Sequence, residues 1–130
     1  ESAQEKVVIA SIGAVALGGA LGALARYSVA LLVLRLWPGS FALPTLLVNV
    51  SGCLTIGVLY GLWLHRPEIS PVIQQGLMIG FLGAFTTFST FSLDAWRLLG
   101  NGQGLIALGY ILLSVCLCLT ATWAGLWLTR

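Results

Sequence analysis

Apolar residues along this chain gather into four long blocks, not into the alternation of strands. They cover 7–34, interrupted only by Arg26, then 41–64, 69–93 and 105–129. The third block is uncharged up to Leu93, and its helix is drawn past Asp94 to about 96. Each block is about 24 residues or longer, so as a helix it reaches roughly 36 Å, enough to cross a hydrocarbon core of about 30 Å with some tilt. A membrane β-barrel would instead show alternating segments of about ten residues. The pattern therefore predicts an all-α membrane protein, a single four-helix domain over 1–130 with spans at about 7–34, 41–64, 69–96 and 105–129. Short connections are expected at 35–40, 65–68 and 100–104, with Pro38, Pro44, Pro67 and Pro71 in or beside them, where a missing backbone donor is tolerated. Glu1 to Lys6 reads as a short polar tail. No extramembrane domain and no cleaved signal peptide are expected.

Composition sharpens this. Hydrophobic residues make up 58% of the chain and charged residues 8%, with a mean hydropathy of +1.00. A soluble domain carries about 25% charged residues. Most of the outside of this protein must therefore face lipid. The net charge of +2 is too small and scattered for a nucleic-acid partner. The chain has no P-loop, no HExxH and no CxxC, and its single histidine, His65, lies in a turn, so most enzyme mechanisms lack their reagents. Cys53, Cys116 and Cys118 all fall inside spans, as expected of reduced thiols. With the N-terminal side called A, Lys6, Arg66 and Arg130 fall on side A and Arg35 and Arg97 on side B. So even a split sets no orientation by the positive-inside rule. It leaves open insertion in both directions. Gly18 and Gly22, Gly57 and Gly61, and Gly76 and Gly80 are each four apart and mark faces where helices approach closely.

The unusual segment is GFLGAFTTFSTFS, Gly80 to Ser92. Thr86, Thr87, Ser89, Thr90 and Ser92 alternate with Phe85, Phe88 and Phe91. Such hydroxyls either bond back to their own carbonyls and bend the helix, or mark an unwound turn after Gly83. Broken backbone at membrane depth is tolerated where it is buried in protein or lines a cavity. Asn49 lies inside span two, within TLLVNVSG, and an amide there needs at least one partner. Tyr110, Ser114, Cys118 and Thr122 recur every fourth residue and make one stripe on span four. Arg26 stands about ten residues from the side-B end of span one, where a vestibule role competes with snorkelling to the interface. Amide, hydroxyl and guanidinium all donate, and aromatic ring edges are weakly positive. Such a lining suits a small anion. Asp94, near the end of span three, reads as a helix-end charge paired with Arg26 or Arg97.

GFLGAFTTFSTFS, together with VNVSG and GGALGALARY, resembles the Fluc/CrcB family of fluoride channels over essentially the whole chain. The resemblance implies an antiparallel dual-topology homodimer with two fluoride pores, each lined by both subunits. It assigns Asn49, Phe88 and Phe91 to the pore, with Thr87, Ser89 and Thr90 of the same segment and with Tyr110 and Ser114 of the span-four track. Cys118, the next position of that track, is a poorer donor than a hydroxyl. Gly83 and Thr86 match the break in span three, whose backbone carbonyls would hold a central structural Na+, with no organic cofactor. Passive fluoride export across the bacterial inner membrane, with membrane lipid around the dimer, is the implied activity. Two other readings are a small dual-topology drug/proton exchanger and a non-conducting membrane subunit. The exchanger needs a carboxylate in span one, where this chain has only Arg26.

Overall fold

Helices cross the protein four times in the computed structural model, which describes residues 1–130. The first span is α1 (Ala3–Leu36) and the second α2 (Leu43–Leu64). The third runs from Pro71 to Gly100 and is composite. It comprises α3 (Pro71–Gln75), a π-helical stretch (Gly76–Leu82), α4 (Gly83–Phe85) and α5 (Phe88–Gly100). The fourth is α6 (Gly104–Leu128). All four are long and apolar enough to cross a membrane.

Local signals account for the boundaries. Residues 1–6 do not form a separate tail, because helix α1 starts at Ala3. Ser2 accepts from the Glu5 amide at 3.2 Å and Glu5 Oε2 accepts from the Ser2 amide at 2.6 Å, a reciprocal cap that draws the polar residues into the helix. Pro44 and Pro71 occupy the first turns of their helices, where no amide partner is lost. Gly39 and Gly102 take positive φ (89° and 77°) in the two side-B turns, the backbone region open to glycine.

The four spans pack as two close pairs. Helix α1 lies against the first half of the third span, and α2 lies against α6. In lipid, helix association rests on close backbone approach rather than on a hydrophobic drive. The glycine faces supply it. A Cβ at Gly18 would strike the Gly76 carbonyl, and one at Gly22 the Phe81 carbonyl. Gly57 meets the Thr122 backbone, and Gly125 meets the Leu54 carbonyl and Val58. Only 19 of the 130 residues are buried, so this bundle has a thin interior and a broad apolar exterior. A small cluster does form where α5 meets α6, from Phe91, Ala95, Leu98, Ala107 and Tyr110.

Over-packing at such a contact costs about 1–3 kcal/mol. Gly22→Ala is expected to lower the thermal unfolding midpoint of the detergent-solubilised protein clearly. Gly109→Ala, which meets nothing within 4 Å, is expected to leave it unchanged. Equal midpoints for the two variants would contradict this packing.

Candidate functional site

The third span loses its helix at two residues. Thr86 (φ −89°, ψ 161°) and Thr87 (φ −155°, ψ 123°) are extended, while Gly83 remains helical. The break therefore sits three residues beyond the glycine that signals it. A helix end at this depth leaves carbonyl and amide groups without intrahelical partners, and each must be matched in the absence of water.

Two side chains from other spans meet that need. Asn49 Nδ2 donates to the Thr87 carbonyl at 3.0 Å, and the Thr87 amide donates to Asn49 Oδ1 at 2.8 Å. The side-chain amide thus pairs with both backbone groups of one residue, as a neighbouring antiparallel strand would. Arg26 Nε donates to the Ala84 carbonyl at 3.0 Å, so the guanidinium is bound to the end of α4. Thr86 keeps its own amide and hydroxyl on the Leu82 carbonyl, at 3.0 and 2.9 Å. Beyond the break, Thr87 caps α5: its Oγ1 accepts from the Thr90 amide at 3.1 Å. The same hydroxyl lies 3.1 Å from Thr90 Oγ1 and 3.3 Å from Ser89 Oγ. Gly52 lets the Thr86 methyl lie directly against α2. The amides that would take the Gly83 and Thr86 carbonyls in a continuous helix, those of Thr87 and Thr90, donate instead to Asn49 Oδ1 and to Thr87 Oγ1.

A cleft of about 410 Å³ opens beside the break. Asn49, Gly83, Thr86, Thr87, Phe88, Phe91 and Ser114 line it, with Cys53 and Cys118 further along. The sequence-derived site residues do not all share this surface. Ser89 and Thr90 lie outside the lining and serve the cap. Tyr110 sits behind Phe91, with ring centroids 5.3 Å apart, and Arg26 is on the α1 side of the break. Phe88 and Phe91 are 5.5 Å apart and tilted by 58°. Phe88 is 79% exposed, whereas Phe91 is 9% exposed and packs into the α5–α6 cluster. Ser114 is 5% exposed, and its hydroxyl has no hydrogen-bond partner.

Asp94 departs from expectation. It pairs with neither Arg26 nor Arg97, and it is not a helix-end charge at the surface, being 3% exposed. Thr45 donates to Asp94 Oδ2 at 2.7 Å, and the Tyr110 hydroxyl approaches the same oxygen at 3.5 Å. Arg97 instead covers the Phe41 ring at 4.1 Å. Thr45 is therefore a polar partner that the sequence reading passes over. Its signal is spacing: Thr45 and Asn49 are four apart on one face of α2, and Phe91 and Asp94 are three apart on one face of α5. Through Tyr110, this buried group supports the ring of Phe91 from behind.

Known proteins similar to this chain agree with one another. The family model described as CrcB-like protein, Camphor Resistance (CrcB), matches residues 13–126. A protein of Pseudomonas fluorescens (strain Pf0-1) named fluoride-specific ion channel FluC is 55% identical over 119 residues, spanning 92% of this chain and 96% of its own length. A protein of Pseudomonas syringae pv. tomato with the same name is 53% identical, over 95% of this chain and 99% of its own. One from Azotobacter vinelandii, again so named, is 52% identical over 90% and 94%.

A bond to a charged group is worth about 1.5–3 kcal/mol, and a long, weakly aligned contact much less. Thr45→Val is thus expected to destabilise the protein by about 2 kcal/mol, and Tyr110→Phe by under about 1 kcal/mol. Unfolding in mild detergent measures both. A larger loss for Tyr110→Phe than for Thr45→Val would contradict the placement of Asp94.

Proposed function

The chain belongs to the CrcB family, and on that footing we propose that it is a fluoride-selective channel through which F− leaves the cell passively. It is a multi-pass protein of the bacterial inner membrane and not an enzyme. The observation that carries this reading is the Ser114 hydroxyl, buried and unpartnered on a cleft it shares with Asn49, Phe88 and Phe91. A buried donor without a partner costs about 1–3 kcal/mol, and an anion passing through the cleft would relieve that cost. Asn49 commits one N–H to Thr87 and retains a second. Fluoride is small and holds its water tightly, so it gains most from such close donors and from the positive edges of the two rings. Chloride is larger and poorly matched to a narrow aromatic gap. Pore width and lining donors together set selectivity of this kind.

Assembly completes the proposal. Phe88, on the cleft wall, is left 79% exposed in the single chain, and a second copy of the chain would cover it and close the cleft. The near-even distribution of Lys and Arg between the two ends is compatible with an antiparallel partner in the same membrane. In that homodimer each of two pores draws on both subunits. The carbonyls of Gly83 and Thr86, contributed by both subunits, would hold a Na+ at the centre. Oxygen donors suit this hard cation. When bound, the ion supplies fixed positive charge and ties the two breaks together.

The deciding experiment uses the purified chain in potassium-loaded liposomes with valinomycin, with fluoride or chloride release followed by electrode. Fluoride should leave rapidly and chloride barely faster than from empty vesicles. Equal rapid release of both ions would overturn the selectivity, and no fluoride release from folded, sodium-supplied protein would overturn the reading in favour of a non-conducting subunit. Asn49→Asp, Phe88→Ile and Phe91→Ile should each slow fluoride release tenfold or more, an added barrier of about 1.4 kcal/mol. Unchanged release in all three would remove these residues from the pathway.

A further inference from the structure

Cys53 and Cys118 come together on the wall of the same cleft, one from α2 and one from α6. Several contacts fix this stretch of the seam. Thr122, one turn after Cys118, donates its hydroxyl to the Cys53 carbonyl at 3.1 Å. One turn after Cys53, Gly57 lies against the Thr122 backbone, and Gly125 lies against Leu54 and Val58. Gly61, a further turn on, lies against Thr129, so α2 and α6 run in the same direction and this register sets Cys53 level with Cys118. Both are free and partly exposed. The third cysteine, Cys116, is exposed, lies two residues from Cys118 on α6 and does not line the cleft.

We propose that Cys53 and Cys118 form a binding site for a single soft cation that favours two-coordination, of the class of Cu(I), Ag(I) and Hg(II). Thiolates select soft cations. No third His, Cys, Asp or Glu stands with the pair, which matches linear coordination and disfavours tetrahedral Zn2+. On binding a divalent cation, two S–H bonds break, two metal–sulfur bonds form and two protons leave, with no change of oxidation state. The tight backbone approach at Gly57 and Gly125 fixes the register that brings both thiols to one cleft, so little backbone ordering is needed to bind. Because Ser114, Val115 and Cys118 line the same cleft, the bound cation narrows the route assigned to fluoride. That consequence rests on the channel reading, whereas the binding does not.

The test loads purified protein with one equivalent of Hg(II) and washes it with a competing monothiol. Retained metal is then counted, and unfolded protein is labelled with maleimide. Wild type and Cys116→Ser should retain about one Hg(II) per chain, while Cys53→Ala and Cys118→Ser should retain less than a tenth of that. In wild type, Cys53 and Cys118 should be protected from maleimide and Cys116 labelled. Retention as high as wild type in Cys53→Ala or in Cys118→Ser, or protection centred on Cys116, would overturn the site. So would loss of all metal from wild type in the wash. In liposomes, Hg(II) should slow wild-type fluoride release at least tenfold relative to its own metal-free rate, with recovery on adding a dithiol. Metal retention with unchanged release would show that the pair does not face the pathway. Wild-type vesicles that release no fluoride before metal is added would count against the channel reading, and retention would still decide the site.

Discussion

The carboxamide of Asn49 holds the one backbone residue, Thr87, on which the rest of the structure turns. With a donor and an acceptor side by side, it satisfies both the carbonyl and the amide of Thr87 in the middle of a membrane-spanning segment. Without it, two backbone groups would be stranded in hydrocarbon at about 1–3 kcal/mol each, and an unbroken helix would be the cheaper solution. Once the break is held, its consequences follow in order. Helix α5 is re-aimed relative to α4, Thr87 becomes its cap, and Phe88 and Phe91 turn to opposite degrees of exposure. The Gly83 and Thr86 carbonyls lose their i+4 helical partners because the Thr87 and Thr90 amides bond to Asn49 and to the Thr87 hydroxyl.

This arrangement gives the hydroxyl-rich segment a divided purpose. Thr87, Ser89 and Thr90 satisfy one another around the start of α5 and so stabilise the broken geometry. Asn49 and Ser114 keep donor capacity facing the cleft. The scaffold and the proposed anion site are thus built from the same residue types, separated by which groups have already found partners. Arg26 belongs with the scaffold: its bond to the Ala84 carbonyl secures the first half of the span against α1. Asp94, Thr45 and Tyr110 form a second buried polar knot that backs Phe91 from the other side.

Much of this is legible in the residues. Four apolar blocks predict four spans, because length and lipid contact leave few alternatives, and the glycine pairs predict the faces that touch. The crowding of hydroxyls after Gly83 predicts a disturbance in span three. Its position is less legible, because a glycine shows where bending is cheap, while the partner of the freed backbone decides where it happens. That partner, Asn49, lies 38 residues away in sequence. The pairing of Asp94 is hidden for a related reason. Charge alone points to Arg26 or Arg97, but Arg26 is committed to a carbonyl and Arg97 to the Phe41 ring. Helix α1 begins within the expected tail because Ser2 and Glu5 cap each other's backbone, a local signal that the polarity of the segment masks. The thiol pair is not legible at all, since Cys53 and Cys118 meet only through the register of α2 on α6.

The central claim is that Asn49 holds the break, and amide hydrogen exchange at Thr87 tests it most directly. The protein would be reconstituted in lipid nanodiscs and compared with Asn49→Ala. The wild-type Thr87 amide should exchange as slowly as amides inside α2. In the variant it should exchange at least tenfold faster, while the interior of α6 remains protected. Equal protection of Thr87 in both proteins would contradict the claim, because the break would then be held by something other than the Asn49 amide.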